Sequence, residues 1–130
     1  MELAGKCLCG SVRFTLSASP RVHYCHCTMC QKSTGGPAAV LAWVPRAALQ
    51  WEGALPMEYR SSPIAARSFC GRCGSPIALL YDDASEIGLH LATLDQRAEL
   101  AAQYHYGVES QLPWFDAGKD LPRRSTEEKW

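Results

Sequence analysis

The amino-acid sequence predicts a mainly β domain with few or no long helices, and three observations carry that expectation. Short alternating or continuous apolar runs recur along the chain, bounded by glycine or proline, as strands and turns are. No segment keeps an apolar stripe at roughly 3.6-residue spacing through three turns, as a surface helix would. Seven cysteines fall into three tight groups, a pattern that suits metal knuckles stapling a small sheet.

The elements follow in order. Residues 3–6 read as a short strand leading to Cys7 and Cys9, and Gly10 suits the positive-φ turn that returns the chain. In residues 11–16, Val12, Phe14 and Leu16 alternate with Arg13 and Thr15, the mark of a half-buried strand. Ser17-Ala18-Ser19-Pro20 breaks it, and residues 21–24 form a brief extended run. The composition of Lys32-Ser33-Thr34-Gly35-Gly36-Pro37 predicts a loop. Residues 38–44 are apolar throughout and predict a buried strand, while 50–52 and 57–60 are shorter candidates split by Gly53 and Pro56. Residues 65–69 run into Cys70 and Cys73, and Gly74-Ser75-Pro76 turns out of them. Residues 77–81 and 87–91 read as a hairpin around Asp82-Asp83-Ala84-Ser85. Residues 93–100 fit either a helical turn or a loop, and 101–108 fit a strand with Tyr104 and Tyr106 on one face. From Gln111 onward the chain reads as irregular, and 123–130 as a tail inclined to fray.

A chain of 130 residues fits one domain, 1–130, with no linker or repeat to divide it. Its 13 Lys+Arg balance its 13 Asp+Glu, which argues against a nucleic-acid partner. The longest basic run is Pro122-Arg123-Arg124. No apolar stretch approaches the roughly 18 residues of a membrane span. Met1-Glu2-Leu3-Ala4-Gly5-Lys6 has none of the blocks of a signal peptide. Seven cysteines without an export signal point to a reducing, cytoplasmic setting and to metal or thiol chemistry.

Cys25, Cys27 and Cys30 occupy six consecutive positions as C-x-C-x-x-C. A disulfide would leave one over, whereas a tetrahedral metal ion takes all three. Cys70-Gly71-Arg72-Cys73-Gly74 is a strong half-site for zinc, and no helix follows to make it a redox dithiol. Cys7-x-Cys9 is its natural partner. Four thiolates close a site, which marks it as structural, and three leave it open, which marks it as chemical. The triplet keeps three readings: an open zinc site, a closed site completed by another side chain, or metal-free reactive thiols.

His26, between two candidate ligands, would tend to point away from the ion, and His23 lies just ahead. His90 and His105 lie in strand patterns that suit partly buried histidines, Lys32 a solvated loop lysine, and Trp114 and Phe115 a core or pocket wall. No Gly-rich phosphate loop and no H-E-x-x-H is present.

The chain resembles the glutathione-dependent formaldehyde-activating enzymes, a family that includes centromere protein V. The resemblance rests on Cys7-Leu8-Cys9-Gly10, on residues 25–32, on Phe69-Cys70-Gly71-Arg72-Cys73-Gly74-Ser75-Pro76, and more weakly on Leu94-Asp95 and Leu112-Pro113-Trp114-Phe115. It implies a β-tent fold and two zinc ions, one structural on Cys7, Cys9, Cys70 and Cys73 and one catalytic on Cys25, Cys27 and Cys30. The implied activity is a carbon–sulfur lyase that joins a glutathione-like thiol to a small aldehyde such as formaldehyde. The rival reading is a zinc-stapled binding module that catalyses nothing.

Overall fold

Two β-sheets, a small antiparallel one and a large mixed one, pack face to face in the computed structural model, which describes residues 2–129. Strands β1 (Leu3–Lys6), β2 (Val12–Leu16) and β5 (Leu49–Gly53) form a small sheet in the order β1-β2-β5. Strands β3 (Arg21–Cys25), β4 (Ala39–Pro45), β6 (Met57–Ser62), β7 (Ala65–Phe69), β8 (Pro76–Tyr81), β9 (Glu86–His90), β10 (His105–Tyr106) and β11 (Arg123–Arg124) form the large one. Its order is β11-β10-β3-β4-β9-β8-β7-β6. The mainly β class is as the sequence predicts. Among the described residues, no helix is long and apolar enough to cross a membrane.

The main core lies between the sheets. Leu3, Val12, Phe14 and Leu16 of the small sheet meet Val22, Ala42, Val44, Ile87 and Leu89 of the large one. Gly5 has no Cβ because the Phe14 ring fills that space: an added Cβ would lie 2.3 Å from Phe14 Cζ. Phe14 in turn meets Trp51 edge-on, with ring centroids 5.8 Å apart.

A second apolar cluster covers the opposite face of the large sheet and contains Cys25, Cys27, Cys30, Ala39, Leu41 and Leu79. Because successive strand residues point to opposite faces, β4 sends Leu41 and Trp43 to this side and Val40, Ala42 and Val44 to the main core. Burial on both faces explains why residues 38–44 read as one continuous apolar run.

Three expectations need correction. The triplet's turn and the start of the presumed loop form a helix, α1 (Thr28–Thr34), ended by Gly35 at φ 74°. Seven residues are too few to display a helical stripe. The strand expected over 101–108 shrinks to β10, which lies parallel to β3 with Tyr106 opposite Cys25. Leu91 leaves β9 for a 3-10 turn, and a further 3-10 turn, Arg97–Glu99, falls in the ambiguous stretch 93–100. The tail stretch 123–130 begins with β11, parallel to β10. Met1 and Trp130, the two ends of the chain, lie outside the described residues.

Candidate metal centre

Two turns, one from each sheet, bring four cysteines together. Cys7 and Cys9 lie in the β1–β2 turn, whose Gly10 sits at φ 80°, and Cys70 and Cys73 in the β7–β8 turn, whose Gly74 sits at φ 77°. The four sulfurs lie within 4.8 Å of one another. Cys7 Sγ is 3.6 Å from Cys9 Sγ, which is 3.8 Å from Cys70 Sγ. A zinc–thiolate tetrahedron with bonds of about 2.3 Å has edges of roughly 3.8 Å, so the cluster has the right size. Backbone N–H groups already point at the sulfurs, Val12 toward Cys7 and both Arg72 and Cys73 toward Cys70, each at 3.4 Å. Ser75 Oγ lies 3.1 Å from Cys73 Sγ, and this contact holds the Cys73 thiol down at about 5. Gly71 serves close approach rather than a special turn: an added Cβ would lie 2.5 Å from Met57 Sδ.

The triplet is built differently, from one strand end and one helix start. Cys25 ends β3, Cys27 is the N-cap of α1 and Cys30 lies in its first turn. Cys27 Sγ accepts the Cys30 N–H at 3.3 Å, doing what a serine or aspartate oxygen does at an N-cap. All three are buried and their sulfurs lie within 4.8 Å of one another. Donation from Cys25 and Cys30 pushes Cys27 down to about 2, and its charge drives Cys25 far above the ordinary thiol range. Cys30 also feels donation from Cys25, which lowers it, but Cys27 and burial prevail and push it up to about 11. Three buried sulfurs this close together suit a divalent cation, which would bind all three as thiolates. The donor set therefore fits a soft, thiolate-binding ion such as zinc.

No fourth ligand joins the triplet among the described residues. His26 turns away, its Nε2 2.7 Å from His105 Nδ1, while His105 Nε2 bonds the Gly118 carbonyl. If His105 donates to Gly118, His26 donates to His105, and its own Nδ1 is left buried without a partner. His23 is locked as well. Trp43 Nε1 donates to its Nε2 at 2.6 Å, so Nδ1 carries the hydrogen and donates to the Tyr24 carbonyl at 3.0 Å. Burial pushes its pKa down to about 4.

Above the three sulfurs opens a cavity of about 620 Å³. Its floor is one face of the large sheet, and its wall is a column of rings. Tyr104 stacks on His23 at 4.9 Å, His23 on Trp43 at 6.3 Å, and Trp43 on Tyr81 at 6.1 Å. Trp43 reaches Tyr81 across β9 because its partner there is Gly88, where a Cβ would lie 2.8 Å from the indole. At the rim Arg21 pairs with Glu86 at 2.9 Å, and Arg124 lies 4.5 Å over Tyr104 without an ion pair among the described residues. Beside the centre, Arg67 of β7 donates to Cys30 Sγ at 3.4 Å and to Ser33 Oγ at 3.1 Å.

The structure thus brings the seven predicted cysteines into the groups of four and three that their spacing suggests. Lys32 lies on α1, and Phe115 packs edge-on against Tyr24 at 6.2 Å, whereas Trp114 is exposed. His90 borders a second cavity, away from the triplet. Sequence reasoning missed Trp43, Tyr81, Gly88 and Arg67. For Arg67 a signal existed, an arginine inside the run of small residues Ala65-Ala66-Arg67-Ser68.

Comparison with curated proteins finds no match. A crystal structure of a Rhodobacter sphaeroides protein superposes with a TM-score of 0.61 at 17% identity, over 94% of this chain and 99% of that one. At that identity the likeness speaks for the fold alone. The sequence model of the glutathione-dependent formaldehyde-activating enzymes matches residues 2–110. That span takes in all seven cysteines and most of the cavity wall, and by it the chain belongs to the glutathione-dependent formaldehyde-activating enzyme family.

Proposed function

We propose that the protein is a zinc-dependent carbon–sulfur lyase that adds a glutathione-like thiol to a small aldehyde such as formaldehyde. The observation that carries this reading is the convergence of three buried sulfurs, with no fourth side-chain ligand among the described residues, at the floor of a cavity sized for a small molecule. Cys25, Cys27 and Cys30 would hold the catalytic ion, and Cys7, Cys9, Cys70 and Cys73 a structural one. A zinc ion there would lower the pKa of a substrate thiol and keep it as the nucleophilic thiolate.

The chain's own residues supply the rest. The Trp43 and Tyr81 rings keep water from one side of the sulfurs, which favours addition of the thiol over hydration of the aldehyde. Arg124 at the rim offers a guanidinium to a substrate carboxylate. In the net reaction a C–S bond forms, the C=O π bond becomes a C–O single bond, and the thiol proton ends on that oxygen. His23 takes no part in moving it, since both ring nitrogens are engaged. The Tyr106 hydroxyl is also occupied, donating to Glu128 at 2.5 Å and accepting from the Glu127 N–H at 2.8 Å. No side-chain base would be required, since an ion held by Cys25, Cys27 and Cys30 would supply the thiol in its deprotonated form.

The test is the rate of S-hydroxymethylglutathione formation and breakdown against a matched protein-free blank. Zinc-loaded protein should exceed the blank, and Cys27→Ser should fall back to it. If both only match the blank with glutathione and with other common thiols, the binding-module reading replaces the enzyme.

A further inference from the structure

Arg67 is a charge in a place that excludes charge. It lies in β7 between Ala66 and Ser68 and is 8% exposed. Burying a guanidinium is costly unless opposite charge meets it. No carboxylate does so: the ion pairs among the described residues are Arg21–Glu86 and Arg60–Asp82. Its hydrogen bonds go to Cys30 Sγ and Ser33 Oγ, and its Nε is buried without a partner.

We propose that Arg67 is the fixed counter-ion of the Cys25–Cys27–Cys30 centre and sets how tightly its three sulfurs hold a divalent cation. The inference rests on the reading of the triplet as a metal centre. Three thiolates around a divalent ion carry one surplus negative charge, and the guanidinium cancels it. A neutral centre accepts a further thiolate more readily than an anionic one would. Arg67 reaches the centre from β7, on the sheet face it shares with Leu79 and Trp43. It is a positioning residue, and it stays out of the cavity lining. Ser33, in the last turn of α1, accepts from the same Nη1 that reaches Cys30 Sγ, so the helix that supplies Cys30 also aims its counter-ion.

The experiment is cobalt(II) binding, read from thiolate-to-metal charge-transfer absorption while a chromophoric chelator competes at neutral pH. Cys27→Ser supplies the signal of the four-cysteine ion alone, and subtraction from wild type isolates the triplet. Arg67→Met should weaken the triplet ion by about tenfold or more, within the range for residues that support metal ligands, and leave the other ion unchanged. Arg67→Lys, which keeps the charge, should stay within about threefold of wild type. Should Arg67→Met fail to fold by circular dichroism, Arg67→Gln takes its place under the same threshold. A folded neutral variant that holds the triplet ion within about twofold of wild type overturns the proposal, as does an equal loss at both sites. Turnover plays no part in this readout, so a failed lyase assay leaves the proposal standing. Wild-type protein that binds a single cobalt ion overturns both.

Discussion

Gly88 and His23 show how single residues shape the cavity. Gly88→Ala places a methyl group where the Trp43 indole lies. Overpacking of this kind costs about 1–3 kcal/mol, and Trp43 should swing off Tyr81. A lower thermal midpoint together with altered tryptophan emission would confirm it; unchanged emission would count against the stacked column. His23 carries a pH dependence with a definite sign. Its folded-state pKa is held at about 4 by burial, below the ordinary 6.5. The unfolded chain thus binds the extra proton first. The stabilising contribution is full above about pH 6.5 and is lost as pH falls toward 4, at up to about 1.4 kcal/mol per unit. Titration of the ring protons by NMR in metal-loaded protein should give a midpoint far below 6.5, and a midpoint near 6.5 would show that the ring is not held buried. The cysteines were legible in the sequence because a metal ion demands ligands at close, recognisable spacing. Gly88 was not, since its role depends on Trp43, a residue of another strand.

Among the elements, α1 decides whether the triplet survives substitution. Its N-cap is Cys27, and serine is a good N-cap residue. Cys27→Ser should therefore keep the helix and lose the ligand: zinc content drops by one ion while circular dichroism stays as in wild type. Cys27→Ala should lose the cap as well, at about 1 kcal/mol beyond the serine variant in chemical denaturation. Equal stability of the two variants would show that the cap contributes nothing. The sequence hid this helix behind its short length and an unusual cap. It showed β2, β4 and β8 clearly because those strands bury alternate or all of their side chains. It overstated β10, where Tyr104 and Tyr106 alternate as in a strand: the ladder holds only His105 and Tyr106, although Gln103 and Tyr104 also bond the backbone of β3. Which strands share a sheet was not legible, because pairing depends on residues distant in the chain.

On the scale of the whole molecule, the two cysteine groups hold different things. The four-cysteine cluster ties the small sheet to the large one, and Cys9 and Cys70 are 61 positions apart. Cys70→Ser should unfold or aggregate the protein, since a closed zinc site contributes folding energy directly. A graded chelator titration should remove the triplet ion first with the fold intact and the second only with unfolding, as followed by circular dichroism and released zinc. Simultaneous release would favour two structural sites. The same asymmetry gives the two centres different histories during synthesis. A nascent chain that has emerged only as far as β4 already carries Cys25, Cys27 and Cys30, whereas the cluster joining the sheets must wait for Cys73. The triplet's thiols therefore emerge from the ribosome before Arg67 and the β7–β8 turn do. Early metal capture by the triplet, measurable on stalled chains ending near β5, would protect them from oxidation through that interval.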